Sequence, residues 1–247
     1  MMLQGMDSLI YELSRVLAHY GIKAARPPSA ARRGMREYER QLRDIYERWS
    51  DDLAAQLAEV NADERNEELT AALALLLGRL RSTGHTGLEA AALIGFNTDE
   101  LSSEAQALLA EAISRNDDFL MTSLIPALRD RLEATLRSED FLIALAAEEG
   151  ETMLGAEMDT VDARVGLYAG AWWTLYHNAF GVVAQQRDSR ITAYLDPLAQ
   201  HCSECPLYHS VVGESYETME DYLAQTGGRV PGEFECVGNC RCWLIEA

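Results

Sequence analysis

The chain has 247 residues, 48% of them apolar and 25% charged, which is typical of a globular protein with one large or two ordinary domains. It contains no run of about eighteen apolar residues, which argues against a membrane-spanning helix. The formal net charge of −19 disfavours direct binding to nucleic acids, because their phosphates carry the same sign of charge.

The first predicted element is an amphipathic helix over residues 7–22. Six apolar side chains recur there at helical spacing: Leu9, Ile10, Leu13, Val16, Leu17 and Tyr20. No basic segment precedes an apolar core at this end, so the pattern is not that of a secretory signal peptide. We therefore expect the chain to mature in a cytoplasm, where thiols stay reduced.

A second, long helix is predicted from Ser29, which can cap it, to about Val60. Its apolar stripe needs a partner surface, because a single helix cannot bury a stripe against itself. The stripe consists of Met35, Tyr38, Leu42, Ile45, Trp49, Leu53 and Leu57. Arginines between residues 26 and 48 alternate with acids three or four residues away, which indicates a solvated, ion-paired helix face. We expect this helix to contribute to self-association or to docking on a larger assembly.

The next stretch of chain is also predicted to be helical up to about residue 187. The predicted helices cover 62–81, 88–96, a segment capped by Asn97 or Thr98 that ends near Asn116, 119–158 and 159–187. The composition of residues 82–87 predicts a turn. Pro126 predicts a kink or a break near Leu124.

The composition changes after residue 188. A strand is predicted over 190–195 and a short helix over 217–225, among loops rich in glycine and proline. We predict a mainly α protein: a multi-helix N-terminal body over 1–188, and a small cysteine-stapled α+β C-terminal domain over 189–247. A domain of about sixty residues has little core, so a metal or disulfides commonly stabilise it.

All five cysteines lie in this C-terminal segment, as a C-x2-C pair followed by C-x3-C-x-C: Cys202, Cys205, Cys236, Cys240 and Cys242. Zinc takes four ligands in a tetrahedron, and a C-x2-C pair presents two thiolates from one turn. Two cysteine clusters about thirty residues apart therefore predict a structural zinc site. His201 and His209 are further ligand candidates, and which four residues bind stays open.

Two other interpretations of the cysteines compete with zinc. Disulfides are disfavoured by the odd count of thiols and by the expected reducing compartment. A catalytic cysteine with His201 or His209 as base is disfavoured by nearby acids, Glu204, Glu233 and Glu235, which oppose thiolate formation. Because no nucleotide-binding motif or catalytic triad is recognisable either, we expect the protein not to be an enzyme.

The order of short motifs in the last third of the chain resembles that of the phage head-morphogenesis, or Mu F-like minor head, proteins. The motifs are HNAFGVVAQQ (177–186), RITAYL (190–195), HCSECPLY (201–208), VVGESY (211–216), RVPGEFEC (229–236) and NCRCWL (239–244). The resemblance covers about residues 165–247. Cys236 stands where the family often has a histidine, a replacement that preserves a zinc ligand. The D-x-R motif that usually precedes C-x-x-C is not matched, because Asp196 is followed by Pro197 and no arginine.

The resemblance implies a minor capsid protein of a virion, assembled in the host cytoplasm. It implies contacts with the portal protein, the major capsid protein or both. From the lack of a long apolar run we expect no membrane partner. A cellular zinc-binding adaptor or regulatory protein is the alternative function, and an enzyme that uses the cysteine cluster is the third.

Overall fold

The computed structural model describes residues 28–195, 203–210, 212–234 and 242–246, with the backbone alone for 159–169. The predicted helix over 7–22 lies outside the described residues. The chain forms two compact units, each assembled from separate segments. One contains Met1–Arg33, Ala91–Leu101 and Trp173–Ala247, and the other contains Gly34–Ala90 and Ser102–Trp172.

Helix α1 spans Ser29–Glu59, close to its predicted bounds. Within the second unit, five of the seven residues of its apolar stripe are buried, and Met35 and Ile45 are half-buried. The Tyr46 hydroxyl donates to the Met158 carbonyl at 2.8 Å, and Trp49 Nε1 donates to the Ala72 carbonyl at 2.9 Å. The predicted ion pairs are present on the outer face, for example between Arg40 and both Glu37 and Asp44. The stripe thus finds its partner surface inside the chain, and the role of α1 in self-association stays a prediction.

Helix α2 spans Arg65–Phe96 without interruption, so the predicted turn over 82–87 is wrong. The two glycines of that segment allow close packing of helices instead. A Cβ atom at Gly84 would lie 2.9 Å from Asn116 Nδ2, and one at Gly87 would overlap the buried ring of Tyr38. Packing therefore outweighs the roughly 1 kcal/mol by which each glycine disfavours a helix relative to alanine.

Alanine substitutions at two glycines of α2 should shift stability in opposite directions. Gly78→Ala should stabilise the protein by about 0.5–1 kcal/mol, since nothing lies within 4 Å of the new Cβ. Gly87→Ala should destabilise it by about 1–3 kcal/mol, because the buried Tyr38 ring must move. Urea unfolding followed by circular dichroism measures both, and shifts of the same sign would contradict this account of the packing.

Four helical elements follow in the second unit: α3 (Ser103–Phe119), a π-helical turn (Leu120–Leu124), α4 (Ile125–Leu136) and α5 (Glu139–Ala146). The cap of α3 is Ser102, whose hydroxyl accepts from the Ala105 amide, and not Asn97 or Thr98 as predicted. The irregularity predicted near Leu124 is the π turn, after which Pro126 occupies the first turn of α4. Ser138 caps α5, so residues 119–158 form several helices where one was predicted.

Helix α6 spans Gly150–Gln186 and begins about nine residues before its predicted start. Glu148 has a positive φ of 62°, which ends the preceding helical segment and turns the chain. At Gly150 a Cβ would lie 3.1 Å from Leu145 Cδ1, so the new helix starts in close contact with α5.

The C-terminal part of the chain forms a three-stranded antiparallel sheet in the order β2-β1-β3. Its strands are β1 (Ile191–Tyr194), β2 (Glu214–Tyr216) and β3 (Trp243–Glu246), with short helices α7 (Cys205–Tyr208) and α8 (Met219–Thr226). In the register, Thr192 faces Ser215 on one side and Ile245 on the other. The sheet packs on the end of α6 through a buried cluster: Ala184, Ile191, Ala193, Tyr216, Met219, Tyr222, Val230 and Leu244.

The predicted fold class is confirmed: the protein is mainly α with a small α+β part near its C-terminus. The unit that holds this part begins within α6, at Trp173, and also takes in Ala91–Leu101. The division into domains 1–188 and 189–247 stays a prediction. Of the helices described, none combines the length and the apolar character needed to cross a bilayer.

Candidate metal centre

The structure describes two of the five cysteines, and it brings them together. Cys205 begins α7, Cys242 directly precedes β3, and both are fully buried in one cluster with Phe234. Leu195 and Tyr208 pack against this cluster, which we call the cysteine cluster. Cys202, Cys236 and Cys240 lie outside the described residues, as does His201.

Cys205 is held by hydrogen bonds at the end of its short helix. The His209 amide and His209 Nδ1 both donate to the Cys205 carbonyl, at 3.1 and 3.0 Å. His209 Nε2 lies 3.1 Å from the Tyr222 hydroxyl, which links α7 to α8. Pro206 occupies the first turn of α7, where the amide hydrogen that proline lacks is not needed.

Cys242 is held from the other side by helix α6. Trp173 Nε1 donates to the Cys242 carbonyl at 2.7 Å. One turn later on α6, His177 Nε2 accepts from the Leu244 amide at 3.3 Å, and His177 Nδ1 donates to the Trp173 carbonyl at 2.9 Å. Trp173 and His177 thus bind the start of β3 to the helix. In the sequence, only their i, i+4 spacing indicated that these two side chains lie on the same face of the helix.

These contacts disfavour His177 and His209, the two described histidines near the cysteine cluster, as metal ligands. The ring of His177 is buried with one nitrogen facing a carbonyl and the other facing an amide, so it is neutral and carries its proton on Nδ1. His209 also directs Nδ1 at a carbonyl, and its Nε2 pairs with a hydroxyl 3.1 Å away. A zinc–nitrogen bond of about 2.0–2.1 Å to His209 would displace that hydroxyl.

Two of the three acids near the cysteine cluster, Glu204 and Glu233, have hydrogen-bond partners in the structure. Glu204 forms a bidentate ion pair with Arg229, at 2.9 and 3.0 Å, and the same guanidinium lies 5.0 Å from the centre of the Phe234 ring. Glu233 accepts from Asn178 Nδ2 at 3.2 Å and from the Val230 amide at 3.0 Å. Glu235 lies outside the described residues.

The loop that leads from Arg229 to Phe234 packs directly on α6. Gly232 has a φ of +104°, a conformation that favours glycine, and a Cβ there would overlap the Thr174 hydroxyl. The contact from Asn178 to Glu233 anchors the same loop three residues before Cys236 in the sequence. The loop is therefore placed by the helix and the cysteine cluster together.

The Tyr216 hydroxyl adds a further contact below this cluster, donating to the Tyr208 carbonyl at 2.8 Å. Burial raises the pKa of Tyr216 to about 12, and the charge of Glu214 acts in the same direction. The hydroxyl therefore keeps its proton and this hydrogen bond at neutral pH, tying β2 to α7.

The arrangement suits the binding of a soft metal ion by thiolates. Two buried cysteine side chains from distant parts of the cysteine-bearing segment belong to one cluster, and zinc accepts four thiolate donors. Within the described ranges, no group of three or more histidine, cysteine or acidic side chains could hold a metal. The described donors therefore fit part of a zinc site, and the other cysteines of the sequence would have to complete it.

No family model, curated protein or solved structure matches this chain.

Proposed function

We propose that the protein is a phage minor head protein, which acts structurally in capsid or portal assembly through protein contacts and is stabilised by a zinc ion in its C-terminal part. The observation that carries this proposal is the assembly of the resembling motifs into one packed unit. The helix with HNAF, the strand with ITAY, the start of α7 and the terminal strand all belong to the unit that holds Trp173–Ala247.

Individual contacts support a single module. His177, from the first motif, binds the backbone of Leu244 in the last. Asn178, from the same helix, binds Glu233 in the Pro-containing loop. Short motifs that resemble a family in order and also touch one another favour a common origin over chance similarity in composition.

In this proposal the zinc ion is structural. It would be held by Cys205 and Cys242 with two of the three other cysteines, and when bound it would offset the ordering entropy of a small, loop-rich unit. Protein contacts stabilise the rest of the unit. Trp173 and His177 hold the terminal strand by hydrogen bonds, and the positive charge of Arg229 neutralises that of Glu204 beside the cysteine cluster. The portal or the major capsid protein is the proposed partner.

The test is the location of the chain in cells that produce it. Gradient-purified particles should contain the full chain together with portal and capsid proteins, at a few copies per particle by quantitative mass spectrometry. A matched lysate from cells without induced particles is the control. Recovery of the chain only outside particles, with zinc bound, would favour the cellular adaptor and contradict the head-protein proposal.

A further inference from the structure

Helix α7, which begins at Cys205, is only four residues long and is held at both of its ends. At its C-terminal end, His209 Nε2 lies 3.1 Å from the Tyr222 hydroxyl of α8. At its N-terminal end, the Glu204 side chain makes no capping hydrogen bond, and its carboxylate accepts from Arg229 Nη1 at 2.9 and 3.0 Å. A helix of one turn has little stability of its own, so the position of Cys205 depends on these two contacts.

The turn that follows α8 fixes the position of Arg229. Gly227 and Gly228 have φ angles of 68° and 81°, and the Gly228 amide donates to the Leu223 carbonyl at 2.7 Å, which closes the end of α8. The Thr226 hydroxyl donates to the Arg229 carbonyl at 2.8 Å, and Arg229 Nε donates to the Thr226 carbonyl at 3.0 Å. The guanidinium group is thus oriented by its own turn.

The same guanidinium group contacts two parts of the cysteine-bearing unit at once. Its central carbon lies 5.0 Å from the centre of the Phe234 ring, which is buried with Cys205 and Cys242 in the cysteine cluster. Its Nη1 pairs with Glu204, the residue directly before Cys205. A planar group with five donors can make these contacts together, which the ammonium group of a lysine cannot. Arg229 therefore connects the start of α7 to the aromatic ring of the cysteine cluster.

This ion pair is partly exposed, so we expect it to add little to overall stability. The side chains of Arg229 and Glu204 are 36% and 24% exposed. Ion pairs that water can reach contribute little to the free energy of unfolding, because water screens the two charges. Groups that hold metal ligands in place, in contrast, commonly change the metal affinity by about 10- to 100-fold when they are removed. The affinity for a metal is therefore the property in which a positioning role would be visible.

We propose that Arg229 is a positioning residue for the zinc ion. Through Glu204 it sets the orientation of Cys205, and through the Phe234 ring it holds α7 against the cysteine cluster. This inference rests on the proposed zinc site, and it names a residue other than a cysteine that sets the affinity of that site. It does not depend on the proposed role in phage heads.

The experiment measures metal binding by the full, reduced and metal-free chain. Cobalt(II) is titrated first, because its tetrahedral thiolate complexes absorb visible light, and zinc(II) then displaces it, since zinc binds such sites more tightly. Arg229→Gln should keep the cobalt absorption at saturation but weaken zinc binding by about 10- to 100-fold. Arg190→Gln is the matched control, because it breaks an exposed ion pair with Glu217 that has the same length, 2.9 Å, in the same unit.

The control separates a positioning role from a merely stabilising one. A contact that only stabilised the fold would strengthen the metal-free and the zinc-bound chain alike, and it would leave the affinity unchanged. Equal zinc affinity in Arg229→Gln, Arg190→Gln and the unsubstituted chain would therefore overturn the inference and leave the zinc proposal standing. An unsubstituted chain without cobalt absorption would contradict the zinc proposal and, with it, this inference.

A second variant covers the case in which Arg229→Gln does not fold. Glu204→Gln removes the same ion pair and leaves the contacts of Arg229 with Thr226 and Phe234 in place. It should weaken zinc binding about tenfold. The double variant should lose no more affinity than Arg229→Gln alone, because both substitutions act through one contact. Unchanged affinity in Glu204→Gln, or additive losses in the double variant, would overturn the inference.

Discussion

Cys205→Ser is expected to lower the zinc content from about one ion per chain to near zero and to unfold the cysteine-bearing segment. The physical reason is that zinc would supply on the order of 10 kcal/mol to a unit whose cores are small clusters. A serine hydroxyl is a poor zinc ligand and would be buried at a position with no exposure. Elemental analysis of reduced, chelator-free protein measures the metal.

Unfolding of the segment can be followed separately by trypsin cleavage after Arg229, whose side chain is 36% exposed and held in an ion pair. Cleavage should become fast in Cys205→Ser and after treatment of the unsubstituted protein with a strong chelator. Leu207→Ser, on the same short helix at a position that is 70% exposed, should change neither zinc content nor cleavage. An unsubstituted chain that folds without zinc would contradict the metal hypothesis.

Trp173→Phe is expected to loosen the terminal strand far more than Trp243→Phe, although both changes remove the same atoms. Trp173 Nε1 donates to the Cys242 carbonyl, so its loss leaves a buried acceptor without this donor. Trp243 Nε1 is buried and has no hydrogen-bond partner among the described residues, so its loss removes a group that was already costly to bury. The expected difference is about 1–3 kcal/mol.

Amide hydrogen exchange of residues 243–246 measures this difference locally, which avoids assuming that the two compact units unfold together. Exchange in Trp173→Phe should be at least about tenfold faster than in Trp243→Phe. The two variants serve as controls for each other, because the loss of volume is the same. Equal exchange rates would mean that the contact between α6 and Cys242 does not hold the strand.

Local sequence patterns predicted an element correctly wherever the residues within that segment were enough to define its structure. The stripe of α1 predicted a helix from Ser29 because its buried residues repeat at steps of three and four. The strand over 190–195 and the short helix over 217–225 were also found within a few residues. The latter begins with a capping box between Thr218 and Asp221, a signal contained in four residues.

The sequence-based predictions were wrong where the conformation of a residue depends on packing against residues far away in the sequence. Gly84 and Gly87 have the composition of a turn, yet they lie inside α2 because Tyr38 and Asn116 pack against them. Asn97 was expected to cap a helix and instead has a φ of 52° after the end of α2. At the two glycines the local preference is worth about 1 kcal/mol, which tertiary packing exceeds. Asn97 differs, because it is exposed and its positive φ is a local conformation that asparagine tolerates at the end of a helix.

The sequence by itself determined the helical class, the acidic charge and the confinement of all cysteines to the last part of the chain. Only the tertiary structure decided that Cys205 and Cys242 share one buried cluster, and that His177 and His209 bind protein groups. It also showed that Arg229 balances Glu204 beside that cluster. The physical reason is that composition and periodicity are local properties, whereas buried polar groups must find partners wherever the fold places them.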